Sequence, residues 1–108
     1  MMGYNIERKR LAEFQYSSSE DSFRQAVDST EEDLSSNPKV DGSARPLRKH
    51  NLERDLKGLI SCSVDFPFSY GDRIVYHIDD SRSEVIEHSI KGHPNPGNIL
   101  TRIILSNR

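Results

Sequence analysis

Two stretches in the distal half of the chain alternate apolar and polar residues with a period of two, and they bracket a short turn. In Ile60-Ser61-Cys62-Ser63-Val64-Asp65-Phe66-Pro67-Phe68 the even positions are apolar, and Ile74, Tyr76 and Ile78 repeat the pattern against Arg73, His77 and Asp79. Such alternation is that of a half-buried strand. Ser69-Tyr70-Gly71 between them suits a three-residue hairpin loop, with glycine where a left-handed conformation is needed. This loop pairs Phe66 with Ile74, Val64 with Tyr76 and Cys62 with Ile78, all on one face. Pro67 has no amide proton, which places the first strand at a sheet edge.

The neighbouring segments extend the sheet. Ser83 to Lys91 predicts a third strand after a turn at Asp80-Ser81-Arg82, with Ile86, His88 and Ile90 inward, although Val85, Ile86, Ser89 and Ile90 also suit a short helix. Ile99 to Ser106 predicts a last strand with apolar residues on both faces. Upstream, Pro46, Leu52, Leu56, Leu59 and Gly58 predict an amphipathic basic helix over residues 44–58, capped by Ser43.

Aliphatic residues are unevenly placed: eight of nine Ile follow residue 56. Residues 16–43 instead carry seven acids against two bases, and eight Ser fall within residues 17–43. Little apolar surface there repays ordering. The expected fold is therefore α+β, a small antiparallel sheet of three or four strands packed with one amphipathic helix. It forms a domain over residues 44–108, behind a flexible acidic arm over residues 1–43 with short helical segments. Residues 5–14 form one such segment, with Asn5 as its cap.

Within the arm, Phe23, Ala26, Val27 and Leu34 recur at near-helical spacing. They form either a partner-binding stripe that folds on contact or a marginal helix on its own domain. Ser17, Ser18, Ser29 and Thr30 each precede an acid by three residues and are the phosphorylation candidates; the same spacing is a helix-capping signature. Arg45, Arg48, Lys49 and Arg54 are candidates for contact with an anion or nucleic acid, or a solvated face balancing the acidic tract.

A search for chemistry finds little. Cys62 is the single cysteine, read as a small buried hydrophobe. His77 and His88 point to opposite faces in the aligned register, His50 lies on the basic helix and His93 in a loop, so no metal or cofactor is expected. No phosphate loop, dinucleotide fingerprint or nucleophile elbow is present. No run approaches the roughly 18 apolar residues of a membrane span, and the first ten residues lack the apolar core of a secretion signal, which favours a location inside the cell, in cytoplasm or nucleus.

These features lead to the expectation of a non-enzymatic interaction or regulatory accessory protein with a tunable acidic arm. It would bind a protein partner and self-associate through its Ile-rich last strand. The alternative expectation is a nucleic-acid-binding accessory factor that uses the basic helix at 45–57.

Overall fold

A computed structural model describes residues 3–40, 48–64, 72–92 and 99–106. The elements are β1 (Asn5–Arg8), α1 (Arg10–Ser17), α2 (Asp21–Ser36), β2 (His50–Asn51), a 3-10 turn (Arg54–Leu56), β3 (Ile60–Ser63), β4 (Arg73–Asp79), β5 (Glu84–Ser89) and α3 (Ile99–Ser106). The class is α+β, as expected, but the sheet has five strands in the order β1-β5-β4-β3-β2 and is mixed. β1 runs parallel to β5, and the other pairings are antiparallel.

Acidic residues near the N-terminus do not form an arm. They supply an edge strand and two helices. Phe23, Val27, Thr30, Glu31 and Leu34 of α2 are buried, a stripe at i, i+4, i+7, i+8 and i+11 that covers one sheet face. Ala26 packs beside it. Residues 5–14 divide into β1 and the start of α1, so Asn5 begins a strand and caps no helix.

Strand alternation sends side chains to two sides of the sheet. Ile60, Cys62, Ile74, Tyr76 and Val85 meet α1 and α2 in the larger core cluster. Leu56, Leu59, Val75 and Ile104 form a second cluster with Leu52 and Leu100. Tyr76 fixes the end of α2 to the sheet by donating its buried hydroxyl to the Pro38 carbonyl at 2.6 Å. Cys62 is fully buried, and burial first, then the charge of Glu87, pushes its thiol up to about 12.

The hairpin exists in a different register. Cys62 pairs with Ile74 and Ile60 with Tyr76, each four residues earlier in β4 than expected. Beyond the paired residues of β3 and β4, the Val64 amide donates to the Asp72 carbonyl at 3.2 Å. Because side chains alternate with period two, an even slip keeps the apolar residues on one face, so the pattern survives the error. Phe66, Pro67, Phe68 and the Ser69-Tyr70-Gly71 turn lie outside the described residues.

Two segments change type. Arg48 and Arg54 have φ of +50° and +56°, values that a right-handed helix does not contain. The expected helix over 44–58 is therefore replaced, within its described part, by β2 and the 3-10 turn. Its leucines still converge in the second cluster. The expected last strand is α3, since apolar residues at 100 and 104 satisfy a helical period as well as an extended one. Segment 83–91 is a strand, with Val85 and Ile90 in the larger core cluster.

Charge is buried where α1 and α2 meet β1 and β5. Arg8 grips Glu31 through two bonds, Nε to Oε2 at 2.8 Å and Nη2 to Oε1 at 2.7 Å, and its Nε lies 3.8 Å from Glu87 Oε1. Glu87 is fully buried, and burial first, then the neighbouring Glu31 carboxylate, holds its carboxyl well above the ordinary range. The folded state thus binds this proton more tightly than the unfolded chain does. The resulting stability is complete below the ordinary carboxylate pKa and is lost as pH rises toward the folded value. Glu87→Gln, which imitates the protonated carboxyl, is expected to flatten this slope and to exceed the native chain in stability at about pH 9. Urea melts across pH check it, and an unchanged slope would refute the assignment.

Candidate functional site

Arg73 opens β4 with its side chain opposite to that of Ile74, away from the larger core. It is 8% exposed. Every described partner of its guanidinium is neutral. Nε donates to the Ser61 hydroxyl and Nη1 to the Ser63 hydroxyl at 3.0 Å, both from β3. Nη2 donates to the Arg48 carbonyl at 2.9 Å and lies 3.4 Å from His50 Nδ1. Among the described residues no carboxylate pairs with it. Burial first, and the charge of Arg48 beside it, push its pKa down.

A buried cation with no countercharge is expensive to maintain. The site is also prepared for an anion. A guanidinium held in plane by fixed acceptors offers a rigid fork to a phosphate or carboxylate, and such charge-assisted bonds are about twice as strong as neutral ones. Arg48 and His50 are exposed and Lys49 is buried between them, which follows from extended alternation. Lys49 instead donates to the Asn37 carbonyl at 2.8 Å, behind the sheet end.

The four basic residues singled out from sequence therefore separate. Arg48 joins the cluster, Lys49 braces α2, Arg54 stands exposed in the 3-10 turn, and Arg45 lies outside the described residues. Arg73 and His50 are the additions. Their signal was only in the register, which sets Arg73 directly against Ser63 and two pairs away from the Ser61–Val75 pair, on the same face.

Other candidates have different surroundings. Phe23, Val27 and Leu34 face their own sheet, so a partner would have to displace α2 to reach them. Thr30 is buried and donates its hydroxyl to the Ala26 carbonyl at 2.8 Å, Ser17 donates to Glu13 Oε2 at 2.7 Å, Ser18 donates to the Phe14 carbonyl at 2.7 Å, and Ser29 is exposed. His77 and His88, expected on opposite faces, come together with His77 Nδ1 and His88 Nε2 2.9 Å apart. The irregularity between Val75 and Tyr76 changes the β4–β5 register, and bulges of this kind re-aim side chains.

No sequence family matches the chain, and no curated protein is similar to it in sequence. Solved structures do match. The RelBE2 toxin–antitoxin complex of Mycobacterium tuberculosis contains a chain that aligns at 23% identity with a TM-score of 0.63, over 84% of this chain and 99% of that one. The YoeB dimer of Staphylococcus aureus aligns at 19% identity and 0.65, over 83% and 97%. A free-state mutant of the Escherichia coli toxin RelE aligns at 14% identity and 0.62, over 98% of both chains.

This likeness corrects the functional expectation. The picture of a non-enzymatic regulatory phosphoprotein rested on a flexible acidic arm and on the lack of a recognisable catalytic motif. The arm is part of the core, and the architecture is one used by toxins. The basic-helix alternative falls with its helix. At these identities the comparison establishes architecture: the chain has the fold of the RelE and YoeB toxins.

Proposed function

We propose that this chain is the toxin of a toxin–antitoxin pair, an endoribonuclease that cuts messenger RNA on the ribosome, with the Arg73 cluster as its phosphodiester site. Arg73 carries the reading, being a nearly buried cation whose described partners are all neutral. RNA supplies its own nucleophile. The 2′-oxygen attacks the adjacent phosphorus, the bond to the 5′-oxygen breaks, and a 2′,3′-cyclic phosphate and a 5′-hydroxyl result. Arg73, with the charge of Arg48 beside it, stabilises the negative charge that grows on the phosphoryl oxygens. The exposed imidazole of His50, with Nδ1 3.4 Å from Arg73 Nη2, takes the 2′-hydroxyl proton as general base. The leaving 5′-oxygen is protonated in the same step by His50 or by water.

A protein partner belongs to the same reading. Two of the similar structures are described as toxin–antitoxin complexes, RelBE2 and the S. aureus YoeB–YefM assembly. On α3, Ile99 is 72% exposed and Ile103, one turn on, is more than a third exposed, a patch suited to an antitoxin. No helix among the described residues is long and apolar enough to cross a membrane.

Adding the purified chain to a cell-free translation reaction and mapping mRNA ends by primer extension tests the proposal. Cuts are expected within translated codons and only when ribosomes are engaged. Intact mRNA on translating ribosomes would reject it.

A further inference from the structure

Three described residues other than glycine have positive φ: Arg48, Arg54 and Ser83. A side chain pays for this left-handed conformation because its Cβ crowds the following carbonyl. The carbonyls of Arg54 and Ser83 accept main-chain amides, that of Lys57 at 3.1 Å and that of Asn5 at 2.9 Å. The Arg48 carbonyl differs. It accepts from Arg73 Nη2 at 2.9 Å, within the cluster described above.

Backbone strain of this kind persists only where the surroundings over-determine it. Here three successive residues are tied to three elements. Arg48 is held by Arg73 of β4, Lys49 Nζ donates to the Asn37 carbonyl at the end of α2, and His50 pairs with Ser61 of β3. The other partners of the guanidinium are the Ser61 and Ser63 hydroxyls, on Nε and Nη1. A hydroxyl can rotate and can donate as well as accept. The carbonyl is an acceptor only and is fixed in the main chain. It holds Nη2, the nitrogen that also stands 3.4 Å from His50 Nδ1. For a residue with a side chain, leaving the left-handed region changes ψ as well as φ. The Arg48 carbonyl and side chain then turn relative to each other, and the two no longer both face Arg73.

We propose that Arg48 is a positioning residue for Arg73 through its main chain: its left-handed conformation keeps the carbonyl on Nη2 and presents the guanidinium to the phosphoryl oxygens in one orientation. This role rests on the reading of Arg73 as the phosphodiester site, and it is separate from the charge of the Arg48 side chain.

The variants Arg48→Gly, Arg48→Asn, Arg48→Ala and Arg48→Val test it in the full chain. All four remove the charge, and they differ in the cost of positive φ, which is least for glycine and greatest for β-branched valine. At saturating ribosomes the single-turnover cleavage rate per folded molecule is expected to fall about 5- to 30-fold from Arg48→Gly to Arg48→Val, with Arg48→Ala between them and the half-saturating ribosome concentration unchanged. Nitrogen-15 NMR of the Arg73 guanidinium should show separate Nη1 and Nη2 signals in the native chain, Arg48→Gly and Arg48→Asn, and merged signals in Arg48→Val. Ser83→Gly should leave both readings unchanged. Equal rates per folded molecule across the four variants would overturn the proposal, because only the side-chain charge would then count. If the native chain itself cuts no RNA, the spectra still decide. Separate signals retained in Arg48→Val overturn the positioning role, and their loss upholds it while the ribonuclease reading alone fails.

Discussion

Arg73→Ala is expected to lower the rate of RNA cleavage by roughly 10²- to 10³-fold, the usual effect of removing one preorganised charge-stabilising group, without unfolding the chain. The second half of the expectation separates a site from a structural contact. A buried ion pair that loses one partner is strongly destabilised, because the other charge is stranded. Arg73 has no described carboxylate to strand, and its removal leaves only hydroxyls, a carbonyl and an imidazole, of which the partly exposed Ser63 hydroxyl and the exposed His50 ring can turn to water. Arg73→Leu should therefore melt at or above the native temperature while its activity disappears. Arg73→Lys should recover only part of the rate, since an ammonium keeps the charge but cannot reproduce the bonds to Ser61, Ser63 and the Arg48 carbonyl together. Single-turnover cleavage of ribosome-bound mRNA, measured beside thermal unfolding, gives both readings. Native cleavage by Arg73→Ala would exclude this site from the chemistry.

Arg8→Ala is expected to destabilise the fold by about 3–5 kcal/mol at neutral pH, the cost of breaking a buried charge network from one side. Arg8 is the cation for Glu31, stands 3.8 Å from the protonated carboxyl of Glu87, and also lies 3.6 Å over the Tyr16 ring. Removing it leaves two carboxyls in a space that burial has already made hostile to charge. Adding Glu31→Gln and Glu87→Gln to Arg8→Ala should recover much of the loss, because amides can be buried without a countercharge. Urea denaturation of the single and triple variants decides it; equal losses would mean that Arg8 acts by packing alone. The contrast with Arg73 is instructive: two arginines, one indispensable to stability and the other to chemistry, separated by whether acids surround them.

Strand positions were legible because alternation is local. Ile60, Cys62, Ile74 and Tyr76 face the core in any even register, so the faces are right although the pairing is wrong. What escaped the sequence depends on distant partners. Glu31 reads as one more acid in a solvated tract, and only Arg8, 23 residues away, shows why it is buried. Asn5 pairs with Glu84 across most of the chain, and no local pattern announces a parallel edge strand. Arg73 reads as an outward strand residue until Ser61, Ser63 and His50 surround it. Leu52, Leu56 and Leu59 were recognised as a packing group, but Arg54 with its positive φ bends the backbone between Leu52 and Leu56, and Arg48 does so before them. The acidic tract misled for a related reason: Thr30 and Glu31 within it are buried, as are Glu87, Ser89, His88 and Arg73 elsewhere, so polar residues make up part of the interior.

The parallel pairing of β1 with β5 has a consequence for biosynthesis. During synthesis from the N-terminus, residues 5–36 emerge long before the strand beside which β1 must lie. Phe23, Val27 and Leu34 then have no sheet to cover until β3, β4 and β5 have been made. Long-range pairing of this kind delays folding and leaves apolar surface open to other proteins in the interval. An early-acting partner would meet the nascent helices before their own sheet does, and a chain interrupted before residue 84 would carry the Arg73 segment without the framework that positions it.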